Sequence, residues 1–172
     1  MRHFRRWTQL SAMLGGALLA LVLSVSVAFA DSPHFIKASA NLSGANLVVS
    51  FKEAGLGNNQ LITYVASADG TATYVCVNNG GGNPSATNKT AVAGPVSATG
   101  TFNSGKNGTI SQSLTLSPPF KDIGCPNGQT QQLAEASYTN VAITDTTNGV
   151  SETLGGPFDT GCLLPKVRGA CD

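Results

Sequence analysis

The chain is poor in charge, in aromatic rings and in histidine, and each shortage closes off a class of function. Charged residues make up 11% of its 172 positions, and no basic stripe interrupts them. An electrostatic footprint for nucleic acid or for an anionic membrane surface is therefore missing. Trp7 is the one tryptophan and the only histidines are His3 and His34, so after residue 30 every acid–base or imidazole–metal scheme must pass through His34. A nucleophile elbow of the form Gly-x-Ser-x-Gly is absent, which leaves the abundant serines uninformative about a catalytic triad. No stretch after residue 30 holds apolar residues at i, i+3, i+4 and i+7 for three turns, so long amphipathic helices are excluded. A second long apolar run is missing too, which removes a spanning helix downstream.

What is present begins with residues 1–30. Arg2, Arg5 and Arg6 precede an apolar stretch from about Leu10 to Val27, and Ala28-Phe29-Ala30 offers the small residues of a signal-peptidase site. The segment is expected to be a cleaved secretory signal, with Asp31 as the new terminus and residues 31–172 as one exported domain. It contains no Cys for lipid attachment. Beyond it lie seven of the ten basic residues and all nine acidic ones, a formal charge of −2.

All four cysteines (Cys76, Cys125, Cys162, Cys171) follow the expected cleavage point. An even number in an oxidising compartment reads as two disulfides. Cys76–Cys125 with Cys162–Cys171 is the favoured pairing, because the second closes a short loop in a tail (about 157–172) that contains Pro and Gly. A metal site would need closely spaced thiolates with histidine beside them, and the spacing does not supply it.

Period-two alternation dominates the rest. Ile110, Leu114 and Leu116 share a face with Gln112, while Thr109, Ser111, Ser113 and Thr115 line the other. A strand of this kind has one side on a core and one in water. Leu47, Val49 and Phe51 repeat the pattern, as do Ile62, Tyr64 and Ala66, then Val96, Ala98 and Phe102. Turn signals divide the strands: Ser43-Gly44-Ala45, Asp69-Gly70 (a turn or a bulge), and Asn-Gly at 79–80, 107–108, 127–128 and 148–149. Ser104–Gly108 reads as the best hairpin turn. Two longer loops are expected, at 78 to about 90 and at 117 to about 132. The apolar parity switches between Ala136, Tyr138 and Val141, Ile143, which predicts a bulge near Thr139-Asn140. Seven or eight short strands predict a single antiparallel β-sandwich of immunoglobulin-like type, with a closed β-barrel as the alternative. Tyr74-Val75-Cys76 has the Tyr-x-Cys form of an antibody strand, but no partner Cys precedes it, so that label is architectural.

The carboxylates Glu53, Asp69, Asp122, Glu135, Asp145, Glu152 and Asp159 are scattered, and only folding could bring a hydrolytic pair together. Asp145-Thr146-Thr147-Asn148-Gly149 is oxygen-rich like a weak calcium loop, but it lacks the EF-hand spacing, and turn formation accounts for Asp145 and Asn148. Tyr64 and Tyr138 alternate in phase with apolar neighbours and are expected in the core rather than on a sugar-stacking platform. Lys166 and Arg168 sit inside the 162–171 loop, where a rigid basic loop could enter a protease cleft. The reading these residues favour is a secreted, non-enzymatic binding or matrix- and surface-associated module without a cofactor, its extracellular partner a polysaccharide, a surface or a protein. The rivals are a carboxylate-based hydrolase and a protease-inhibitor-like protein.

Overall fold

The structure is a computed structural model that describes residues 32–78 and 84–171. The expected signal segment, Asp31 and the Asn79-Gly80 turn lie outside the described residues. Within them the chain forms β1 (His34–Ser43), β2 (Asn46–Ala54), β3 (Leu61–Asn78), β4 (Ala86–Asn103), β5 (Ile110–Leu116), β6 (Gln129–Asp145), β7 (Val150–Gly155) and β8 (Phe158–Asp159), and no helix. All strand pairs are antiparallel. One sheet has the order β1-β2-β5; the other has the order β4-β3-β6-β7, with β8 paired to β6. The sheets remain separate, so the closed-barrel alternative is wrong and the two-sheet expectation stands.

Alternation explains the packing. Leu47, Val49 and Phe51 from β2 and Ile110, Leu114 and Leu116 from β5 face Ile62, Tyr64, Ala66, Tyr138, Val141 and Ile143 from the larger sheet, all buried. Ser111 and Ser113 point to solvent, as the register argument requires. Val96 and Phe102 are only half-buried, because β4 is an edge strand that overhangs the smaller sheet. A Cβ on Gly100 of that strand would lie 2.7 Å from the Phe102 ring and 2.9 Å from Leu114, so both side chains would have to shift to admit it. The Tyr138 hydroxyl donates to the Ala45 carbonyl at 2.7 Å and so ties the core to the β1–β2 turn.

Several local expectations change in the fold. Ser104–Gly108 is not a hairpin turn: it carries the chain from β4 in one sheet to β5 in the other. Gly105 and Gly108 do take positive φ, but a turn signal specifies a reversal and not the neighbour that follows it. Asp69-Gly70 interrupts nothing, since β3 runs straight through it. The irregularity lies opposite, where β6 inserts an extra residue between Ala142 and Thr139. Asn140 takes φ 52° there, which matches the predicted bulge. Residues 86–90, expected in a loop, belong to β4.

β3 and β6 extend well past the smaller sheet, and two disulfide-tethered segments cover the overhang. On the inner face, the segment after β5 lies against β3. Tyr74 donates to the Pro119 carbonyl at 3.1 Å and meets Phe120 edge-on at 5.6 Å, while Cys76 is bonded to Cys125. On the outer face, Val75, Val77 and Ala134 pack under Leu164, Val167 and Ala170 of the tail closed by Cys162–Cys171. Both predicted disulfides are therefore present, one clamp on each side of the same ribbon.

Candidate functional site

The alternation that buries Leu47, Val49 and Phe51 continues one step to Glu53, which it turns inward. Glu53 and Asp145 are both fully enclosed, and Asp145 stands opposite Tyr64 across the β3–β6 ladder. Phe51 packs on Tyr64 with ring centroids 4.4 Å apart, and Phe35 and Phe102 complete the apolar surround. The two acids differ sharply. Asp145 accepts from the Thr147 and Asn148 amides at 2.8 and 3.0 Å and from Asn148 Nδ2 at 2.6 Å. These donors build the turn into β7 and engage both carboxylate oxygens, so turn formation accounts for Asp145 without calcium. Among the described residues neither Glu53 oxygen has a partner in hydrogen-bond geometry, nor does the Tyr64 hydroxyl beside it. Burial pushes the Glu53 carboxyl up to about 7, with the nearby Tyr64 hydroxyl opposing and Asp145 reinforcing. Burial pushes the Tyr64 phenol well above its ordinary range, and Tyr138 up to about 12.

Two hollows open on the surface instead. The first, about 470 Å³, lies on the outer face of β1-β2-β5 and is lined chiefly by Lys37, Lys52, Ser39, Ser50, Ser111 and Ser113. Register sets them in rows. Lys37 faces Lys52 and Lys52 faces Ser111; Ser39 faces Ser50 and Ser50 faces Ser113. An extra residue in β1, Ile36, turns Phe35 towards the core and Lys37 outward. The sole carboxylate in these three strands is Glu53, and it points to the other side. The second hollow, about 270 Å³, gathers Glu135 and Asp159 with Thr71, Thr73 and Ser137 on the outer face of the larger sheet. β8 creates this juxtaposition by pairing Asp159 with Ser137.

The other candidates are dispersed. His34 is exposed, with Nδ1 2.8 Å from the Ser32 carbonyl, and joins neither hollow. Asp69 accepts from Asn140 at 2.8 Å, Asp122 caps the Gly124 amide at 2.9 Å, and Glu152 is exposed on β7. Lys166 and Arg168 have exposed side chains, but the Arg168 backbone is docked: it bonds to Pro84 and Ala86 in a parallel bridge beside Ser85. Among the described residues no group of three or more His, Cys, Asp or Glu is placed to hold a metal ion. The serine–lysine hollow escaped the sequence reading. Its only signal was polar residues at every second position of three strands, which any soluble sheet shows. No family model, curated protein or solved structure matches this chain.

Proposed function

We propose that the protein is a secreted, non-enzymatic binding module whose ligand lies against the outer face of β1-β2-β5. The observation that carries this reading is the hollow of about 470 Å³ lined by serine hydroxyls and lysines, wide enough for a polar, hydroxyl-rich partner such as a polysaccharide. Two disulfides suit an oxidising, extracellular setting, and the expected signal segment agrees with it. The architecture supports an immunoglobulin-like assignment. With β1 to β7 lettered A to G, the sheets read A-B-E and D-C-F-G. That is the constant-type order with the fourth strand moved from beside E to beside C.

The carboxylate hydrolase is the second reading, favoured by the Glu135–Asp159 groove. A general acid in such an enzyme must be desolvated to keep its proton near neutrality. Here the desolvated acid is Glu53, sealed from solvent, while Asp159 stands in water. Access and tuning belong to different residues, which weighs against hydrolysis. An inhibitor role for Lys166 and Arg168 is weakened in the same way, since the docked backbone of the loop would have to leave the sheet to thread a cleft. A glycan array with the purified protein and with Ser50→Trp, which fills the hollow, tests the binding reading. Retention on glycans that the variant loses is expected. An array with no retention, or retention unchanged by the filled hollow, would overturn it.

A further inference from the structure

The outer face of β1-β2-β5 places two lysines directly opposite each other on neighbouring strands. Like charges in that position repel and disfavour the pairing, and side-chain pairs of this kind are normally avoided. Nothing described relieves it. Among the described residues no carboxylate of these strands points to this face, and no described group forms an ion pair with either ammonium. A bulge preserves the pair. Were Ile36 paired in regular alternation, Phe35 and Lys37 would fall on the same side of the sheet; because Ile36 is accommodated as an extra residue, Phe35 packs on the core while Lys37 stands beside Lys52. Around the two ammonium groups lie four serine hydroxyls, each able to donate or accept.

Resting on the reading above, we infer that this face binds an acidic polysaccharide, with Lys37 and Lys52 together holding one carboxylate or sulfate of the chain. Adjacent strands are about 5 Å apart, so an anionic group between the two ammonium groups can accept from both. The next row, Ser39, Ser50 and Ser113, sits about 7 Å along the strands, within reach of ring hydroxyls on the same or the following sugar. The three strands span about 10 Å, which suits a short stretch of a chain lying across the face. The net charge of residues 31–172 has the opposite sign, so the patch is a local feature and not the overflow of a basic protein.

The test titrates purified full-length product with oligogalacturonate (carboxylate), dextran sulfate oligomers (sulfate) and neutral dextran, at low and at moderate salt. Acidic oligomers are expected to bind and neutral dextran to bind at least about tenfold more weakly. Lys37→Gln and Lys52→Gln should each lose about tenfold and the double variant essentially all binding, while Lys121→Gln, in the segment that follows the end of β5 opposite Ser111, binds as the parent does. Moderate salt should weaken the parent and leave the double variant unchanged. The carboxylate and sulfate arms decide which acidic group is preferred. Equal binding of neutral and acidic oligomers, unaltered binding by the double variant, or no binding of any oligomer overturns the inference. The face itself is tested separately by Ser50→Trp. If neutral dextran binds and Ser50→Trp abolishes it, the acidic inference falls and the binding face stands. If acidic oligomers still bind Ser50→Trp, both fall.

Discussion

Replacing Glu53 by Gln should remove a pH dependence that a single buried proton imposes on stability. In the native fold the Glu53 carboxyl is fully buried, with no hydrogen-bond partner in place among the described residues, and burial raises it from 4.5 to about 7. In the unfolded chain it titrates near its ordinary value. Between about pH 4.5 and 7 the native state therefore holds one proton more than the unfolded state, so unfolding free energy falls as pH rises through that window. At about 1.4 kcal/mol per pH unit the whole displacement amounts to about 3 kcal/mol, of which about 2.5 falls between pH 5 and pH 8. Gln keeps the shape and cannot ionise. Urea unfolding of the oxidised protein at pH 5, 6, 7 and 8 should show the parent losing about 2.5 kcal/mol relative to Glu53→Gln. The difference between the two curves isolates Glu53, because every other side chain is common to the two proteins. Parallel curves, or a parent that gains on the variant as pH rises, would refute the reasoning and mean that Glu53 is solvated or paired.

Two tyrosines should respond oppositely to loss of the hydroxyl. Tyr138→Phe deletes the 2.7 Å bond to the Ala45 carbonyl and should cost about 1–1.5 kcal/mol in urea unfolding, whereas Tyr64→Phe removes a buried hydroxyl that has no partner and should be neutral or stabilising. Gly100→Ala, whose Cβ meets the Phe102 ring and Leu114, should destabilise by about 1–3 kcal/mol in the same assay. Cys125→Ser opens a 49-residue separation and should cost about 4 kcal/mol in the chain-entropy account; Cys171→Ser, with a separation of 9, should cost about 3. Hydrogen exchange should then show Val75 and Val77 losing protection before Val49 and Leu116 do.

Much of the framework was legible because it rests on local regularities. Period-two runs gave β2 and β5, a parity switch gave the Asn140 bulge, and short separation favoured Cys162–Cys171. The site was less legible, for reasons of register. Lys37 and Lys52 look unremarkable until β1 pairs with β2 and the extra Ile36 rotates one of them outward. Glu135 and Asp159 meet only because the two-residue β8 rejoins β6. Ser104–Gly108 carried a correct turn signal, but whether the next strand joins the same sheet or the opposite one depends on which core can take Ile110, Leu114 and Leu116. Glu53 is the instructive case. The alternation was followed only to Phe51, because the charge of Glu53 made a solvated position the natural expectation, yet one further step of it places Glu53 in the core.

The ribbon beyond the smaller sheet has a further consequence, for solubility. Ala72-Thr73-Tyr74-Val75-Cys76-Val77 has high β propensity, no charge and no proline, the composition of a segment that stacks into cross-β aggregates. From Tyr74 to Val77 every side chain is buried, although they point alternately to both faces, because a disulfide-tethered cover lies on each side. A chain whose thiols stay reduced has no covalent tether on either cover, and the adhesive strand is held under them by packing alone. Oxidation thus acts as the gatekeeper that other proteins place in sequence as a flanking lysine or proline. The same chemistry that strengthens the fold also keeps one copy from sticking to the next.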